Sequence, residues 1–327
     1  MTKLVTIYGG SGFLGRYIAR RMAKQGWRVR VAVRRPNEAM FVKPYGSVGQ
    51  VEPVFCNIRD DASVSAAMAG ADAVVNCVGT FDRTGRNNFD AVQHEGAERI
   101  ARLAASAGID RMVHISAIGA DAESESEYAK SKALGEAGVS AAMPNAVILR
   151  PSVMFGIEDG FFNRFANMTK FGPVLPLVGG NTRFQPVYVD DVAAAAEAAL
   201  VSNEAGGVYE LGGPDVDTLS GFMRVMLDTI QRRRIILNLP FWVGNVIATL
   251  LDAAQAVTLG LFGNTILTRD QVTSLQYDNV VSDGAKTLAD LGVEATDLDA
   301  IVANYLWVYR PSGQYAEIKN SARNLRA

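Results

Sequence analysis

The chain is poor in the residues that build covalent or metal-based scaffolds. Its 327 residues include only two cysteines and two histidines. Cys56 and Cys77 lie inside apolar runs, and His94 and His114 are far from any cluster with metal-ligand spacing. The sequence therefore argues against a disulfide framework or a metal centre. It predicts cysteines that pack as small hydrophobic residues in a reducing compartment, and histidines in structural positions.

An excess of one charge sign is also missing. The chain has 32 basic and 34 acidic residues, a net charge of -2, so we expect no general attraction to nucleic acid. Met1 leads almost directly into LVTIY, without the basic stretch, long apolar core and cleavage site of a signal peptide. We therefore expect a protein that is not secreted.

What the chain does contain is a regular alternation of short apolar runs and helix-like segments. The helix-like segments space apolar residues three and four apart and end in glycine. The apolar runs are LVTIY (4–8), VRVAV (29–33), VEPVF (51–55), AVVNCV (73–78), RMVHIS (111–116) and AVILR (146–150). Repeated βαβ units produce this pattern. We predict an α/β fold, a doubly wound parallel sheet, with a Rossmann domain over residues 1–150.

The regular alternation of short apolar runs and helix-like segments ends after Pro151. Residues 151–315 are predicted to form a smaller, mixed or helical lobe that returns partly to the Rossmann core through RFQPVYVDDVAAAAEAAL and GVYELGG. Residues 316–327 are polar and basic, and they predict a tail that is ordered only by a partner. The chain thus divides into a dinucleotide-binding domain, a second lobe and a tail.

A long apolar run in the second lobe predicts a docking element. Residues 241–263, FWVGNVIATLLDAAQAVTLGLFG, follow three arginines. This combination suits anionic headgroups or an acidic partner surface. Polar residues within the run make membrane spanning costly, so we predict an interfacial helix. A plain buried helix of the second lobe is the alternative. The arginines are Arg232, Arg233 and Arg234, and the interrupting polar residues are Asn245, Asp252 and Gln255.

A glycine-rich loop follows the first predicted strand and opens the first predicted helix. In TIYGGSGFLGR, Gly9, Gly12 and Gly15 form a G-x-x-G-x-x-G arrangement. Such a loop provides a tight turn, close backbone approach to a pyrophosphate and a helix N-terminus whose N–H groups bind anionic oxygens. The context favours a dinucleotide loop over a simple glycine turn. The predicted cofactor-binding residues here are Gly9, Ser11, Gly12, Phe13, Leu14 and Gly15.

The second predicted strand ends in two arginines instead of the acidic residue typical of NAD sites. Guanidinium groups bind a 2′-phosphate bidentately, so Arg34 and Arg35 favour NADPH over NADH. Solvated loop arginines are the alternative. The loops after the third and fourth strands complete the predicted rim of the groove, because open α/β sheets bind ligands at the carboxyl ends of their strands. These rim residues are Asn57, Ile58, Val78, Gly79 and Thr80.

Together, G-x-x-G-x-x-G, Y-x-x-x-K, RPSVMFG, VYVDDVA and YELGG resemble the extended and atypical short-chain dehydrogenase/reductases over about two thirds of the chain. The resemblance implies that Tyr128 gives or takes the substrate proton and that Lys132 holds the nicotinamide ribose and lowers the tyrosine pKa. Ser116, Pro151 and Val153 are predicted to bind the cofactor together with Tyr128 and Lys132.

The third catalytic group of that family, a serine or threonine that polarises the substrate oxygen, falls on Ala117. Loss of one oxyanion donor typically costs about 100- to 1000-fold in rate. Efficient turnover is therefore not expected, although a register in which Ser116 supplies the hydroxyl remains open.

Four further stretches, at 150–168, 182–193, 267–282 and 288–315, resemble the Rossmann-fold accessory subunit of respiratory complex I (NADH:ubiquinone oxidoreductase) and its bacterial relatives. The resemblance implies tightly held NADPH without established turnover. It also implies docking on the peripheral arm, near the membrane and the quinone region, at the cytoplasmic face of a bacterial inner (plasma) membrane. The alternatives are an active NADP-dependent reductase or epimerase using Tyr128 and Lys132, and a sensor of NADPH level.

Overall fold

The structure is a computed structural model that describes residues 2–81, 85–202, 206–257 and 267–315. The predicted tail at 316–327 and residues 258–263 of the apolar run lie outside the described residues. The chain divides into two compact units. The first comprises Met1–Ser152, Val189–Gly212 and Val281–Ala295, and the second comprises Val153–Tyr188, Gly213–Val280 and Thr296–Ala327.

The described chain alternates strands and helices along most of its length. The strands are β1 (Leu4–Tyr8), β2 (Arg28–Val33), β3 (Val51–Phe55), β4 (Ala73–Asn76), β5 (Arg111–Ile115), β6 (Val147–Pro151), β7 (Met154–Phe155), β8 (Val174–Val178), β9 (Arg183–Phe184), β10 (Val187–Tyr188), β11 (Gly207–Leu211), β12 (Asp217–Thr218) and β13 (Ile235–Leu239). The helices are α1 (Phe13–Lys24), α2 (Asp61–Met68), α3 (Glu95–Ser106), α4 (Glu127–Ala142), α5 (Phe162–Met168), α6 (Val189–Val201), α7 (Leu219–Thr229), α8 (Phe241–Val257), α9 (Arg269–Ser274) and α10 (Leu298–Leu306). Short 3-10 segments occur at Pro36–Tyr45, Ala289–Leu291, Trp307–Tyr309 and Gly313–Tyr315, and a π-helical turn at Asp90–His94 precedes α3.

The first unit is built on a seven-stranded parallel sheet, which confirms the predicted fold class. Its strand order is β11-β6-β5-β4-β1-β2-β3. From β1 the chain first adds β2 and β3 on one side, and then returns to add β4, β5, β6 and β11 on the other side. The strand order therefore reverses between β1 and β4, and the loops that follow these two strands lie next to each other at the carboxyl ends of the sheet. Ligands bind in the crevice at such a switch point. The fourth and fifth strands end earlier than predicted, so Cys77, Val78 and Ser116 belong to loops.

Burial on both faces explains why the strands are continuously apolar. All residues of β1 and β4 are buried. On one side, α1 buries a stripe that includes Leu14, Ile18 and Met22. Arg21 of the same helix joins it to α6, because its guanidinium group donates to Asp190 at 2.8 Å and to Glu197 at 3.1 Å. The late segment that contains α6 is thereby attached to the first βαβ unit.

A cluster of charged side chains attaches two further C-terminal segments, β11 and the segment 281–295, to the rest of the first unit. Arg150 of β6 donates to Glu136 of α4 at 2.7 Å and lies 3.4 Å from Glu210 of β11. The second carboxylate oxygen of Glu210 accepts the backbone N–H of Ser282 at 2.8 Å. Both carboxylate side chains are more than nine-tenths buried, so loss of the arginine would leave buried charges unpaired.

Close helix packing in the first unit depends on a glycine inside α4. A Cβ at Gly135 would lie 2.2 Å from the carbonyl oxygen of Gln93 in the π-helical turn. Real Cβ atoms do not approach backbone oxygens so closely, and the neighbour here is rigid main chain. Gly135 therefore allows α4 to dock on the turn that precedes α3.

The second unit has its own hydrophobic core and three two-stranded sheets. The sheets pair β7 with β10, β9 with β12 and β8 with β13. Helices α5, α7 and α10 pack around a core that contains Phe155, Phe162, Leu175, Leu177 and Met223. The buried carboxylate of Asp159 accepts the Tyr305 hydroxyl and three backbone N–H groups. No helix among the described residues is long and apolar enough to cross a membrane.

The described part of the apolar run does not fit the alternative of a plain buried helix. Helix α8 exposes Trp242 (69%), Val246 (53%) and Leu250 (66%), which are spaced four residues apart on one face. Only Gly244 and Ala248 are buried among its residues up to 253. The helix therefore presents an apolar stripe to its surroundings.

Substitution of Gly135 by alanine tests the helix packing. Alanine in an exposed helix interior stabilises by about 1 kcal/mol relative to glycine, but overpacking a rigid contact costs about 1–3 kcal/mol. The difference between these two effects is the expected result, so Gly135→Ala should lower the free energy of unfolding by about 1 kcal/mol, measured by urea denaturation. Gly160→Ala is the control, because nothing lies within 4 Å of its Cβ position. Equal stability of the two variants would contradict the packing argument.

Candidate dinucleotide site

The glycine loop after β1 has a geometry that side chains would disrupt. Gly9 has φ of +76°, and its N–H donates to Ala32 at 3.0 Å. A Cβ on Gly15 would lie 2.5 Å from the Gly9 oxygen and 2.6 Å from the Gly10 Cα. Helix α1 begins directly behind this turn, with neither a side-chain cap nor an acidic residue in its first turn. Its N-terminal N–H groups therefore suit an anionic group such as a pyrophosphate.

The hydrogen bond from Gly9 to Ala32 places the end of β2 beside the loop, where a ribose would lie. Arg34 and Arg35 follow, and both are exposed. Arg35 lies 3.1 Å from Glu38, but side-chain exposures of 77% and 68% make this pair weak. Arg34 forms no ion pair within the part of the chain described. Both guanidinium groups are thus accessible, and their role as phosphate ligands remains a prediction.

The predicted rim residues differ in what their side chains do. Ile58 is only 7% exposed and contacts the Cα region of Gly96, so its side chain belongs to the core. Asn57 is held in a local turn, in which its side-chain oxygen accepts the Arg59 N–H at 3.2 Å and its own N–H donates to Ser63 at 2.9 Å. The backbone of this pair is engaged as well, because the Asn57 carbonyl accepts the Asp60 N–H at 3.1 Å and the Ile58 carbonyl accepts from Arg99 at 3.2 Å. The role of both residues at the rim remains a prediction.

The loop after β4 is held from two sides. The Val78 N–H donates to the side-chain oxygen of Asn76 at 3.0 Å, and the Thr80 carbonyl accepts from Gln93 at 2.6 Å. Gly79 between them is exposed, with open space at its Cβ position. The loop is thereby fixed at both ends while its middle stays open to a ligand.

Helix α4 presents the tyrosine and lysine predicted from Y-x-x-x-K. Ser126 caps the helix by accepting the Ala129 N–H at 3.3 Å. Lys132 is 6% exposed, and its Nζ donates to the Ile115 carbonyl at 3.1 Å. Burial lowers its pKa to about 8, while the nearby Glu136 carboxylate opposes this shift. An ammonium group has three N–H donors, so this contact leaves capacity for ribose hydroxyls.

Tyr128 is enclosed by aromatic rings. The Phe81 ring stacks on it at 5.6 Å with an interplanar angle of 15°, and Phe89 meets it edge-on at 5.9 Å. The Lys132 Nζ lies 5.9 Å from the centroid of the same ring. Phe81 itself is 71% exposed, so it forms the outer wall of this part of the site.

The hydroxyl expected beside Tyr128 and Lys132 is turned into the protein. Ser116 is 3% exposed, and its Oγ has no hydrogen-bond partner in the described chain. The neighbouring Ala117 is half-exposed but carries only a methyl group. The structure thus offers no serine hydroxyl at the exposed position of this pair, which argues against the register in which Ser116 supplies it.

Behind this pair lies a buried histidine. His114 is 1% exposed, and its Nδ1 is 3.1 Å from the Asn76 side-chain nitrogen. Burial, reinforced by the positive charge of Lys132, lowers the pKa of His114 to about 3. The ring is therefore neutral, and since the amide nitrogen must donate, the ring proton lies on Nε2. This agrees with a structural position for His114.

Sequence reasoning missed Gln93. This residue is 2% exposed, donates to the Thr80 carbonyl and accepts the Ser131 hydroxyl at 2.9 Å. It thereby connects the rim loop to the helix that carries Tyr128 and Lys132. The only signal in the sequence is a polar residue on the apolar side of a helical segment.

The two remaining predicted cofactor residues lie in different units. Pro151 ends β6, and its carbonyl accepts the Ile118 N–H at 3.1 Å. Val153 belongs to the second unit, where its N–H donates to the Asn279 side chain at 3.1 Å. The other predicted cofactor residues all lie in the first unit. Among the described residues, no group of histidine, cysteine, aspartate and glutamate side chains could hold a metal ion.

A strand, a glycine loop and a helix N-terminus at the switch point of a parallel sheet define the class of protein. Residues 5–212 match the NAD dependent epimerase/dehydratase family. The chain therefore belongs to that family, within the short-chain dehydrogenase/reductase superfamily.

More specific similarity extends along nearly the whole chain. It is 37% identical over 316 residues to the Arabidopsis thaliana "NADH dehydrogenase [ubiquinone] 1 alpha subcomplex subunit 9, mitochondrial", covering 95% of this chain and 79% of that protein. The predicted resemblance to a complex I subunit is thus confirmed. The chain is also 33% identical over 208 residues to the ceramide reductase of Caulobacter vibrioides, covering 64% of each.

A solved structure supports the fold. The NADPH-dependent quinone oxidoreductase QOR2 of Escherichia coli, complexed with NADPH, matches with a TM-score of 0.69 at 18% identity, covering 92% of this chain and 99% of that one. The glycine loop and the remaining N–H donors of the Lys132 ammonium group fit a nicotinamide dinucleotide. Bound there, it would supply a hydride donor or acceptor beside Tyr128.

Restoring the missing hydroxyl tests this description of the site. We expect Ala117→Ser to raise NADPH oxidation by a reactive aromatic quinone about 100-fold, because it returns one donor to the substrate oxygen. Stopped-flow absorbance of NADPH measures the rate. The Ala117→Ser, Tyr128→Phe double variant is the control and should stay at background. A rate unchanged by Ala117→Ser would show that another feature limits turnover.

Proposed function

We propose that this protein is an NADPH-binding accessory or assembly subunit of bacterial respiratory complex I, without catalytic turnover of its own. The observation that carries the proposal is the pairing of a complete dinucleotide cradle with an incomplete catalytic set. The loop around Gly15 and the buried Lys132 suit a bound cofactor, whereas Ala117 offers no hydroxyl to a substrate. Similarity to a complex I subunit over 95% of the chain supports the assembly role.

In this proposal the cofactor acts as a structural ligand. A ligand that binds only the folded state stabilises it by mass action, by about 4 kcal/mol when its concentration is 1,000 times Kd. The elements around the predicted groove come from distant parts of the first unit, and a dinucleotide lying along the switch point would contact several of them. Its binding would therefore favour the conformation that partners recognise.

The proposed partners are peripheral-arm and membrane-adjacent subunits of complex I. The proposed location is the cytoplasmic face of the inner membrane, near the quinone region, with contact to anionic lipid through the second unit. The exposed apolar stripe on α8, which carries no charged residue between 241 and 251, supports a location beside other apolar groups.

A second candidate function is an active NADP-dependent reductase or epimerase. Tyr128 and Lys132 are both present, and the similarity to a ceramide reductase favours this alternative over other enzyme classes. It requires a substrate hydroxyl or carbonyl to be polarised without Ala117. NADPH turnover by the unmodified protein on a ceramide precursor ketone would favour this candidate over the first.

The choice of NADPH can be tested at the end of β2. We expect Arg34→Ala to weaken NADPH binding about 10- to 100-fold and to leave NADH binding unchanged, since only NADPH carries the 2′-phosphate. Arg35→Ala is the matched variant and should weaken NADPH binding by a similar factor, because its exposed pair with Glu38 is weak and leaves the guanidinium group accessible. Calorimetric titration measures both affinities. Equal affinity of the unmodified protein for the two cofactors would reject the assignment.

Assembly with complex I can be tested by affinity purification from detergent-solubilised membranes. We expect the tagged protein to comigrate with NADH:ubiquinone oxidoreductase activity. Tyr128→Phe should comigrate equally well, because the proposal gives its hydroxyl no role. Gly12→Val should lose nucleotide and comigrate poorly, since its side chain would occupy the pyrophosphate position. A soluble monomer that turns over NADPH would instead establish the second candidate function.

A further inference from the structure

The second unit carries an apolar surface on its β8/β13 strand pair. Alternate residues of a strand point to opposite faces, and the pairing register joins Ile235 to Val174, Leu237 to Pro176 and Leu239 to Val178. We call these six residues the outer face. The alternate residues Leu175 and Leu177 point into the core and are 1% and 2% exposed.

The outer face is apolar where a soluble sheet would be polar. Ile235 is 67% exposed, Leu237 48% and Val174 39%, and Phe171 just before β8 is 84% exposed. A sheet with one solvated face normally alternates apolar inside with polar outside. A contiguous exposed apolar patch instead marks an interaction surface.

Helix α8 continues this surface. A Cβ on Gly244 would lie 2.7 Å from Cγ1 of Val178, so the helix packs against the end of the outer face. Beyond that contact it exposes the stripe of Trp242, Val246 and Leu250. Residues 235–251 contain no charged side chain at all, although they are largely exposed. The exposed polar residues of this stretch, Asn238, Asn245 and Thr249, are all uncharged.

Basic residues lie along one edge of this apolar surface. Because β8 and β13 are parallel, the residues that precede them meet at the same edge. We call this set the basic edge, which comprises Lys170, Arg232, Arg233 and Arg234. None of these four forms an ion pair with a carboxylate among the described residues, and Lys170 and Arg233 are exposed.

Backbone and aromatic contacts fix the basic edge in place. Arg234 donates to the Thr169 carbonyl through two nitrogens at 3.0 and 2.9 Å. Arg232 donates to the Tyr309 carbonyl at 2.8 Å, and the Lys170 Nζ lies 4.8 Å from the Tyr309 ring. Carbonyl contacts leave the positive charge of each arginine uncompensated. The charges are therefore held close together at the start of the two strands.

We infer that the outer face and the basic edge together bind the surface of an anionic phospholipid bilayer. Cations beside an uncharged apolar surface match lipid phosphates beside acyl chains, and exposed Trp242 suits the headgroup level. The sequence assigned lipid contact to the three arginines and α8, whereas the structure adds the strand pair, Phe171 and Lys170. The inference extends the peripheral location proposed above and rests on it for its biological setting.

The test is co-sedimentation of the purified full-length protein with vesicles. We expect binding to vesicles of phosphatidylcholine and phosphatidylglycerol in equal parts, and weak binding to phosphatidylcholine alone. Binding to the mixed vesicles should fall as salt rises from about 0.01 to about 0.5 M, because screening shortens the range of the charges.

Two double variants separate the contributions. Lys170→Gln with Arg233→Gln should lower affinity for the anionic vesicles about 25-fold, since each basic residue contributes about 5-fold. Ile235→Ser with Leu237→Ser should weaken binding to both kinds of vesicle. The matched controls are Lys43→Gln, an exposed lysine of the first unit, and Phe55→Ser, an exposed apolar residue of β3 that is 63% exposed. Circular dichroism melts confirm that each variant is folded.

Four outcomes would overturn the inference. These are absence of vesicle binding, equal binding to neutral and anionic vesicles, equal losses in the controls, and a dimer in light scattering that only Ile235→Ser with Leu237→Ser dissociates. The last result would assign the outer face to a second copy of the chain.

Loss of complex I comigration in the Ile235→Ser, Leu237→Ser variant, without any vesicle binding, would assign the outer face to a protein partner. Vesicle binding with no complex I comigration would count against the proposed function alone.

Discussion

The first unit depends on one steric constraint, the close approach of Gly15 to the backbone of Gly9 and Gly10. A single methyl group at Gly15 would stand 2.5 Å from a carbonyl oxygen. With hydrogen there instead, α1 can begin directly against the turn that leaves β1, and its N-terminal N–H groups face the switch point of the sheet. The position predicted for the cofactor pyrophosphate follows from that contact.

Binding and catalysis make different demands on the same groove, and the chain satisfies them unequally. Holding a dinucleotide requires backbone N–H groups, a tight turn and a few donors, which the glycine loop and Lys132 provide. Moving a proton and a hydride also requires a polarising hydroxyl within reach of the substrate. Ser116 is buried and Ala117 has no hydroxyl, so the role proposed for the site is cofactor binding rather than transition-state stabilisation.

The second unit differs from the first in where its apolar residues lie. In the first unit the central strands β1 and β4 are buried on both faces, and their apolar residues stabilise the fold. In the second unit the β8/β13 pair buries one face and exposes an equally apolar one. Exposed apolar area adds nothing to the stability of the isolated chain, and the inferred membrane contact would account for its presence. In that inference the nucleotide groove belongs to the first unit and the interaction surface to the second.

The sequence by itself determined the parallel sheet and the nucleotide loop, because both rest on local patterns. Strand periodicity, glycine spacing and the arginines after β2 are visible within a few residues of one another. The sequence could not show that Ser116 turns inward, that Gln93 joins the rim loop to α4, or that Arg232 and Arg234 donate to backbone carbonyls. It also left open whether α8 is buried. These features depend on contacts between residues far apart in the chain, and only the tertiary structure decided them.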